Sequence, residues 1–368
     1  VYLQHQYLTM LFVEVHIRTR KNLRPDPDYD PIRALFYTIS FDSPGKDDET
    51  GVIVVNDVAL EKSAVGGVGR NTTHYVPTEK DLLLKLIELV KIWDPDIITG
   101  YEIEMNSWGY IFQRGFNCEL NLFTLLSRAI MENKGSWNAA DKIHENEFED
   151  LPKCIRDLKI CGRIVLDIWR LLRHEVNPNA KFKFKKKFVI NFILLKFFQV
   201  TLSSYTFENV TYHLSHERHP NLSYENLSYY WEHPSHRFRH LTYNYYVTRV
   251  EGTNKILKQL DFVNRTSEFA RLFGIQFYEV LSRGSQFRVE SMMLRLAKPL
   301  NYIPVSPSVS QRASMRAPAS LPLILEPESI FYTDPLIVLD FQSLYPSMII
   351  AYNYCFSTCL GRVEKLGG

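Results

Sequence analysis

Cysteine is scarce in this chain: there are five, Cys118, Cys154, Cys161, Cys355 and Cys359, at irregular spacings. An odd number with no paired CxxC excludes a disulfide framework and a four-cysteine zinc site, and reduced thiols in the cytosol or nucleus are expected. Net charge is nearly absent as well, +2 at neutral pH, so any nucleic-acid reading has to come from local motifs rather than from overall charge. No apolar run reaches the roughly 20 residues of a membrane-spanning helix, and the stretch Phe188 to Val200 is interrupted by Lys196. No membrane partner is expected. The chain begins Val1-Tyr2-Leu3-Gln4-His5, without an initiator Met or a basic region leading into a signal-peptide core. A fragment of a longer, non-secreted protein is expected. The Asn-x-Ser/Thr matches at Asn71, Asn209, Asn221, Asn226 and Asn264 then have no bearing, because glycosylation needs the secretory route.

What is there is apolar material: 368 residues, 45% hydrophobic and 13% aromatic, enough for at least two domain cores. Leu8 to Thr19 is an apolar, β-branched run that reads as a buried strand, and Pro25 to Pro31 breaks it with turn residues. A second strand follows at Ala34 to Ser40. Thr78 is placed to cap a helix running to about Trp93, with Asp81 three residues on and Leu82, Leu83, Leu86, Leu89 and Val90 on one stripe. Asp94-Pro95-Asp96 ends that helix, and Ile97 to Tyr101 resumes as a short strand. Strands alternating with helices predict an α/β layered domain.

Glu145 to Asp157 reads as an acidic loop, and Ile160 to Arg173 mixes helical and strand spacing. Asn177 to Val200 is anomalous, with a Lys/Phe alternation at Lys181 to Lys187. Lys185-Lys186-Lys187 is expected to be solvated surface rather than a nucleic-acid patch. Further on, helices are expected at Thr266 to Phe273 and Phe287 to Ala297, then a Pro/Ser-rich loop from Pro304 to Pro322. A strand at Leu336 to Leu339 is expected to lead into a helix beginning near Ser347.

Chemistry concentrates at the end of that last strand. Asp340-Phe341-Gln342-Ser343-Leu344-Tyr345-Pro346-Ser347 places a carboxylate at a strand's C-terminal end, where metal sites are commonly built. An isolated Asp there would be a turn or capping residue, but eight positions in register resemble the DFxSLYPS signature, motif A of family B DNA polymerases. The resemblance implies that Asp340 is catalytic and, with the carbonyl of Phe341, holds two Mg²⁺ ions. It implies that Phe341, Ser343, Leu344 and Tyr345 meet the incoming nucleotide, with the Tyr345 ring excluding a ribose 2′-hydroxyl. Glu326-Pro327-Glu328 with Tyr332 and Pro335 resembles the family's lead-in to that motif. Leu281 to Gln286 resembles its SRGxQ segment, in which Arg283 and Gln286 would contact DNA. A template-contacting YxGG/A element is not visible at Met315 to Ala319.

Relatives in this family carry a proofreading 3′→5′ exonuclease domain in which four carboxylates from three segments hold two metals. Here the first pair falls on Phe12 and Glu14, and only Glu14 is acidic. The second segment, Asp96 to Tyr110, puts Ser107 at the metal-binding Asp and Glu102 at a substrate-side Asn. The third, Tyr243 to Glu251, puts Val247, Arg249 or Val250 at the last acid according to which Tyr starts the count, and no register yields Asp. Counted from Tyr245 the residue is Arg249, and a cation there opposes metal binding. Losing three acids of four is expected to abolish hydrolysis, because a hard cation wants charged oxygen donors. Compensation by Glu102, Glu104 or Glu251 is poorly supported by spacing.

The fold implied is α/β, an RNase H-like exonuclease domain with a mixed sheet flanked by helices, catalytically degenerate, followed by the start of a family B polymerase palm. The expected domains are an exonuclease-like 1–262, a connector 263–328 and a palm start 329–368. Residues 177–200 are expected to be an insert or a gene-model artefact, with a composition like that of translated AT-rich non-coding sequence. The emptied nuclease centre resembles the family's translesion branch rather than its replicative one. Partners implied are primer-template DNA, deoxynucleoside triphosphates and accessory subunits, and the implied location is the nucleus. Ending just past motif A, the chain by itself is not expected to extend a primer. Two alternatives stay open: a non-catalytic nucleic-acid-binding scaffold derived from a polymerase, and a proofreading replicative polymerase.

Overall fold

The computed structural model describes residues 7–20, 23–43, 45–56, 72–129, 160–174, 202, 204–301, 308–314, 325 and 328–352. The expected acidic loop at 145–157, the insert at 177–200, Glu326, Pro327 and the segment 315–319 lie outside them. The chain divides into two compact units, Val1–Val263 and Asn264–Gly368.

The first unit is built on a six-stranded mixed sheet. Its strands are β1 (Thr9–Ile17), β2 (Ile32–Phe41), β3 (Glu49–Val55), β4 (Thr72–Val76), β5 (Ile97–Gly100) and β6 (Ile164–Asp167), in the order β4-β3-β2-β1-β5-β6. β1, β2 and β3 pair antiparallel; β4 joins β3, β5 joins β1 and β6 joins β5 in parallel. β1 is buried on both faces, which is why its sequence is a nearly unbroken apolar run rather than an alternation.

The two faces of β1 have different partners. Leu11, Val13, Val15 and Ile17 share a core with Leu82, Leu83, Leu86 and Val90 of α1 (Glu79–Trp93) and with Trp108, Ile111 and Phe112 of α3 (Trp108–Asn117). The short helices α2 (Ile103–Asn106) and α4 (Leu122–Leu126) flank α3. After β6 come α5 (Ile168–His174), α6 (Phe207–Ser215), α7 (Tyr224–Glu232) and the 24-residue α8 (His236–Gln259). α8 covers the other face, where Tyr246 stacks on Phe36 of β2 at 5.0 Å between ring centroids.

α1 starts and stops where the sequence places its ends. The Asp81 backbone N–H donates to Thr78 Oγ1 at 3.2 Å, and Asp94 closes the helix in the left-handed region at φ 44°. Glu79, in the first turn, accepts from the Ile32 N–H at 2.8 Å and from Arg114 Nε at 2.9 Å, tying α1 to β2 and α3.

α9 (Phe262–Phe273) straddles the division between units. The second unit contains α10 (Phe277–Ser282), α11 (Ser285–Ala297), α12 (Val309–Ser314) and α13 (Leu344–Tyr352). The strand expected at Leu336 to Leu339 does not form; these residues belong to no helix or strand, and Leu339 is 88% exposed. A strand requires a neighbour to pair its N–H and C=O groups, and among the described residues none lies beside this segment. The following helix starts at Leu344, three residues before the expected Ser347.

Candidate functional site

Phe12, Glu14 and His16 alternate with the core residues of β1 and so share the face under α8. Phe12 and Glu14 are buried. The Glu14 carboxyl is pushed up to about 7 by burial, which the facing Arg249 only partly offsets.

Ser107 sits between α2 and α3 with no exposed surface. Its hydroxyl donates to the carbonyl oxygen of Val13 at 2.6 Å, one residue before Glu14. Gly100 makes this approach possible, since a Cβ there would stand 2.8 Å from Ser107 Oγ. The same connection is held by Trp108 Nε1, which donates to the Thr99 carbonyl at 3.1 Å, and by Thr99 Oγ1, which donates to the Leu166 carbonyl at 2.8 Å. Ser107 is thus a hydrogen-bonded tie between β1 and the β5–α3 connection.

Arg249 projects from α8 toward the same place. Its Nε lies 3.9 Å from Glu14 Oε2, and its Nη1 donates to Glu208 Oε1 at 2.9 Å. The guanidinium lies over the Phe207 ring at 4.7 Å and the Tyr245 ring at 5.7 Å, the latter four residues earlier on the same helical face. Its pKa is held above the ordinary arginine value: burial works against the charge, and Glu14, Tyr245 and Glu208 outweigh it.

The structure therefore brings Glu14, Ser107 and Arg249 together, from positions 93 and 142 residues apart along the chain. Glu208 and Asp167 are the groups that sequence reasoning missed. Glu208 is 41 residues from Arg249, and no local spacing could have paired them. Asp167 ends β6, and burial raises its carboxyl to about 6. The compensating acids considered from sequence are engaged or turned away. Glu104 pairs with Arg170, Glu102 accepts from Asn106 Nδ2, and Glu251 stands roughly 200° around α8 from Arg249.

This centre does not fit divalent ions. Its one carboxylate from the expected set faces a guanidinium, and among the described residues no group of three or more His, Cys, Asp or Glu is arranged to hold a metal.

In the second unit the segment around Asp340 is open. Asp340 is exposed, as are Phe341 (79%) and Tyr345 (82%). Ser343 turns the chain at φ 52°, and the Ser347 N–H donates to its carbonyl at 2.9 Å, starting α13. A carboxylate and a backbone carbonyl at Asp340 and Phe341 fit a hard cation in kind, but one carboxylate is too few for a two-ion site. Arg283 caps the C-terminal end of α10 and lies over Phe287 at 5.5 Å, while Gln286 Nε2 donates to Glu290 Oε1 at 2.8 Å. Both are exposed.

Comparison with known proteins matches residues 10–186 to "DNA polymerase family B, exonuclease domain" and residues 275–366 to "DNA polymerase family B". The chain is 45% identical over 376 aligned residues to the human DNA polymerase zeta catalytic subunit, covering 98% of this chain and 11% of that protein. It is 48% identical over 368 residues to the Drosophila melanogaster DNA polymerase zeta catalytic subunit, covering 98% of this chain and 16% of that protein. The Glycine max DNA polymerase delta catalytic subunit is 25% identical over 352 residues, 95% of this chain and 29% of that protein.

Proposed function

Because this chain belongs to family B of the DNA polymerases, we propose that it is a segment of a polymerase zeta catalytic subunit whose whole protein performs templated nucleotidyl transfer in translesion synthesis without proofreading. The observation that carries the absence of proofreading is Arg249 beside Glu14, a cation where hydrolysis would need a metal. The likeness at zeta level is much greater than that to the delta subunit and favours the same reading over a replicative one.

At the polymerase end, Asp340 and the Phe341 carbonyl would contribute to holding two Mg²⁺ ions, completed by carboxylates outside the described residues. Those ions would neutralise charge on the transferred phosphoryl group and favour deprotonation of the attacking 3′-oxygen. The backbone N–H groups from Ser343 to Tyr345, at the start of α13, would receive the triphosphate in the manner of a helix N-terminus, a reading supported by the turn at Ser343. Tyr345 would lie under the sugar, its ring rejecting a 2′-hydroxyl by contact. Arg283 and Gln286 would meet the DNA backbone. DNA, deoxynucleoside triphosphates, accessory subunits and a nuclear location belong to this reading.

The test is a labelled primer-template incubated with the whole protein and Mg²⁺. Extension with nucleotides and no shortening without them is the expected result. Shortening that survives Arg249→Ala but is lost in Glu14→Gln would overturn the absence of proofreading, and no extension would overturn the polymerase assignment.

A further inference from the structure

The sheet face under α8 concentrates negative charge: Glu14 on β1 and Glu208 on α6 both address one guanidinium, with the Tyr245 hydroxyl 3.5 Å from its Nη1. Arg249 is the group these elements share. It reaches β1 through Glu14 and α6 through Glu208 and Phe207, and it leaves α8 beside Thr253, whose hydroxyl donates to the Arg249 carbonyl at 2.6 Å. A buried carboxylate without a counter-charge is strongly unfavourable, and a cation beside it offsets that cost. In a metal-dependent site of this shape the positive charge would be borrowed from solution. Here it is covalent.

We propose that Arg249 is a built-in cation that takes the structural place of a divalent ion at this centre, joining β1, α6 and α8 so that the domain folds without metal. The comparison with a metal rests on reading these positions as an emptied nuclease centre; the charge coupling itself does not. Arginine suits the role for two reasons. Its fork can address carboxylates on two elements at once, and its flat face packs on Phe207 and Tyr245, filling space a bare ion would leave to water.

The inference separates from simple packing in a double-mutant cycle on the chain. Arg249→Met keeps most of the stem and removes the charge, and it is expected to lower the thermal midpoint by on the order of 10 °C. Combined with Glu14→Gln, the loss is expected to be clearly smaller than the sum of the two single losses, because the uncompensated charge is then gone. Additive losses would overturn the proposal. If Arg249→Met fails to fold, recovery of the fold by added Glu14→Gln supports it, and failure of both variants overturns it.

A second arm uses Mg²⁺ itself. Arg249→Asp sets three carboxylates together, so Mg²⁺ is expected to raise the midpoint of that variant more than that of the native chain, by mass action on the folded state. An equal rise in both would overturn the proposal, and if the variant does not fold in either condition the cycle decides. Primer shortening by the native protein would overturn the emptied-nuclease reading while leaving the coupling intact. Additivity would do the reverse.

Discussion

The Ser107 hydroxyl donates a 2.6 Å hydrogen bond to the carbonyl oxygen of Val13, tying the β5–α3 connection to β1. A hydroxyl suits this pocket because it offers one proton to one acceptor. An ionised carboxylate could only accept, and would face the Val13 carbonyl with no proton between them. Ser107→Ala is expected to cost about 1–3 kcal/mol by leaving a buried acceptor unpaired, and Ser107→Asp more, both read by denaturant unfolding. Gly100→Ala should be as damaging as Ser107→Ala, since its Cβ would fall 2.8 Å from Ser107 Oγ and 3.3 Å from the Val13 carbonyl.

Glu79 and Arg114 form a mostly buried, two-pronged pair that also accepts the Ile32 N–H and reaches the Pro27 carbonyl. Removing one partner strands the other, so Glu79→Ala is expected to cost about 3–5 kcal/mol. Replacing both by apolar residues should cost less than that single change. Chemical denaturation of the two variants checks this.

His16 is fully buried, with Nδ1 3.4 Å from the Tyr246 hydroxyl and its ring against Trp231. Burial, reinforced by Arg33, depresses its pKa from 6.5 to about 3. The unfolded chain therefore takes up a proton first as pH falls, and the stability His16 supports is complete above about pH 6.5 and lost progressively toward about pH 3. Glu14, raised to about 7, runs the other way, weakening the fold as pH rises from about 4.5 to 7. His16→Phe should flatten the acid limb of a midpoint-against-pH curve and leave the neutral limb unchanged; an unaltered acid limb would count against it.

Asp340 and Tyr345 are exposed, so their substitution should leave the thermal midpoint of this chain unmoved. In the whole protein Asp340→Ala is expected to lower nucleotide incorporation by several orders of magnitude, and Tyr345→Ala to raise ribonucleotide incorporation relative to the deoxy form. Single-turnover primer extension with each nucleotide measures both.

Much of the first domain was legible in the sequence. β1, β2, β5 and α1 lie within a residue or two of their expected bounds, because an unbroken apolar run, a Pro-rich turn and the Thr78 cap are local signals that tertiary contacts reinforce. The same locality made Asp340 to Ser347 readable as an octapeptide, and Ser107 and Arg249 were singled out by resemblance to family segments. β3, β4 and β6 were not singled out: β4 is half-exposed, and β6 is four residues long. The 24-residue α8 also escaped, since its buried face mixes aromatic and polar residues with only a few aliphatic ones toward its C-terminal half. The run Leu336 to Leu339 misled in the opposite direction, since apolar, β-branched composition states that a segment would pair but supplies no partner.

Sequence by itself determined which residue types stand at the positions whose segments resemble a nuclease centre: a phenylalanine, a glutamate, a serine and an arginine. Tertiary structure alone decided what they do there. A hydrogen bond to Val13 and an ion pair with Glu14 and Glu208 depend on β1, the β5–α3 connection, α6 and α8 converging, and no spacing along the chain encodes a distance between elements that only the sheet and its covering helices bring together.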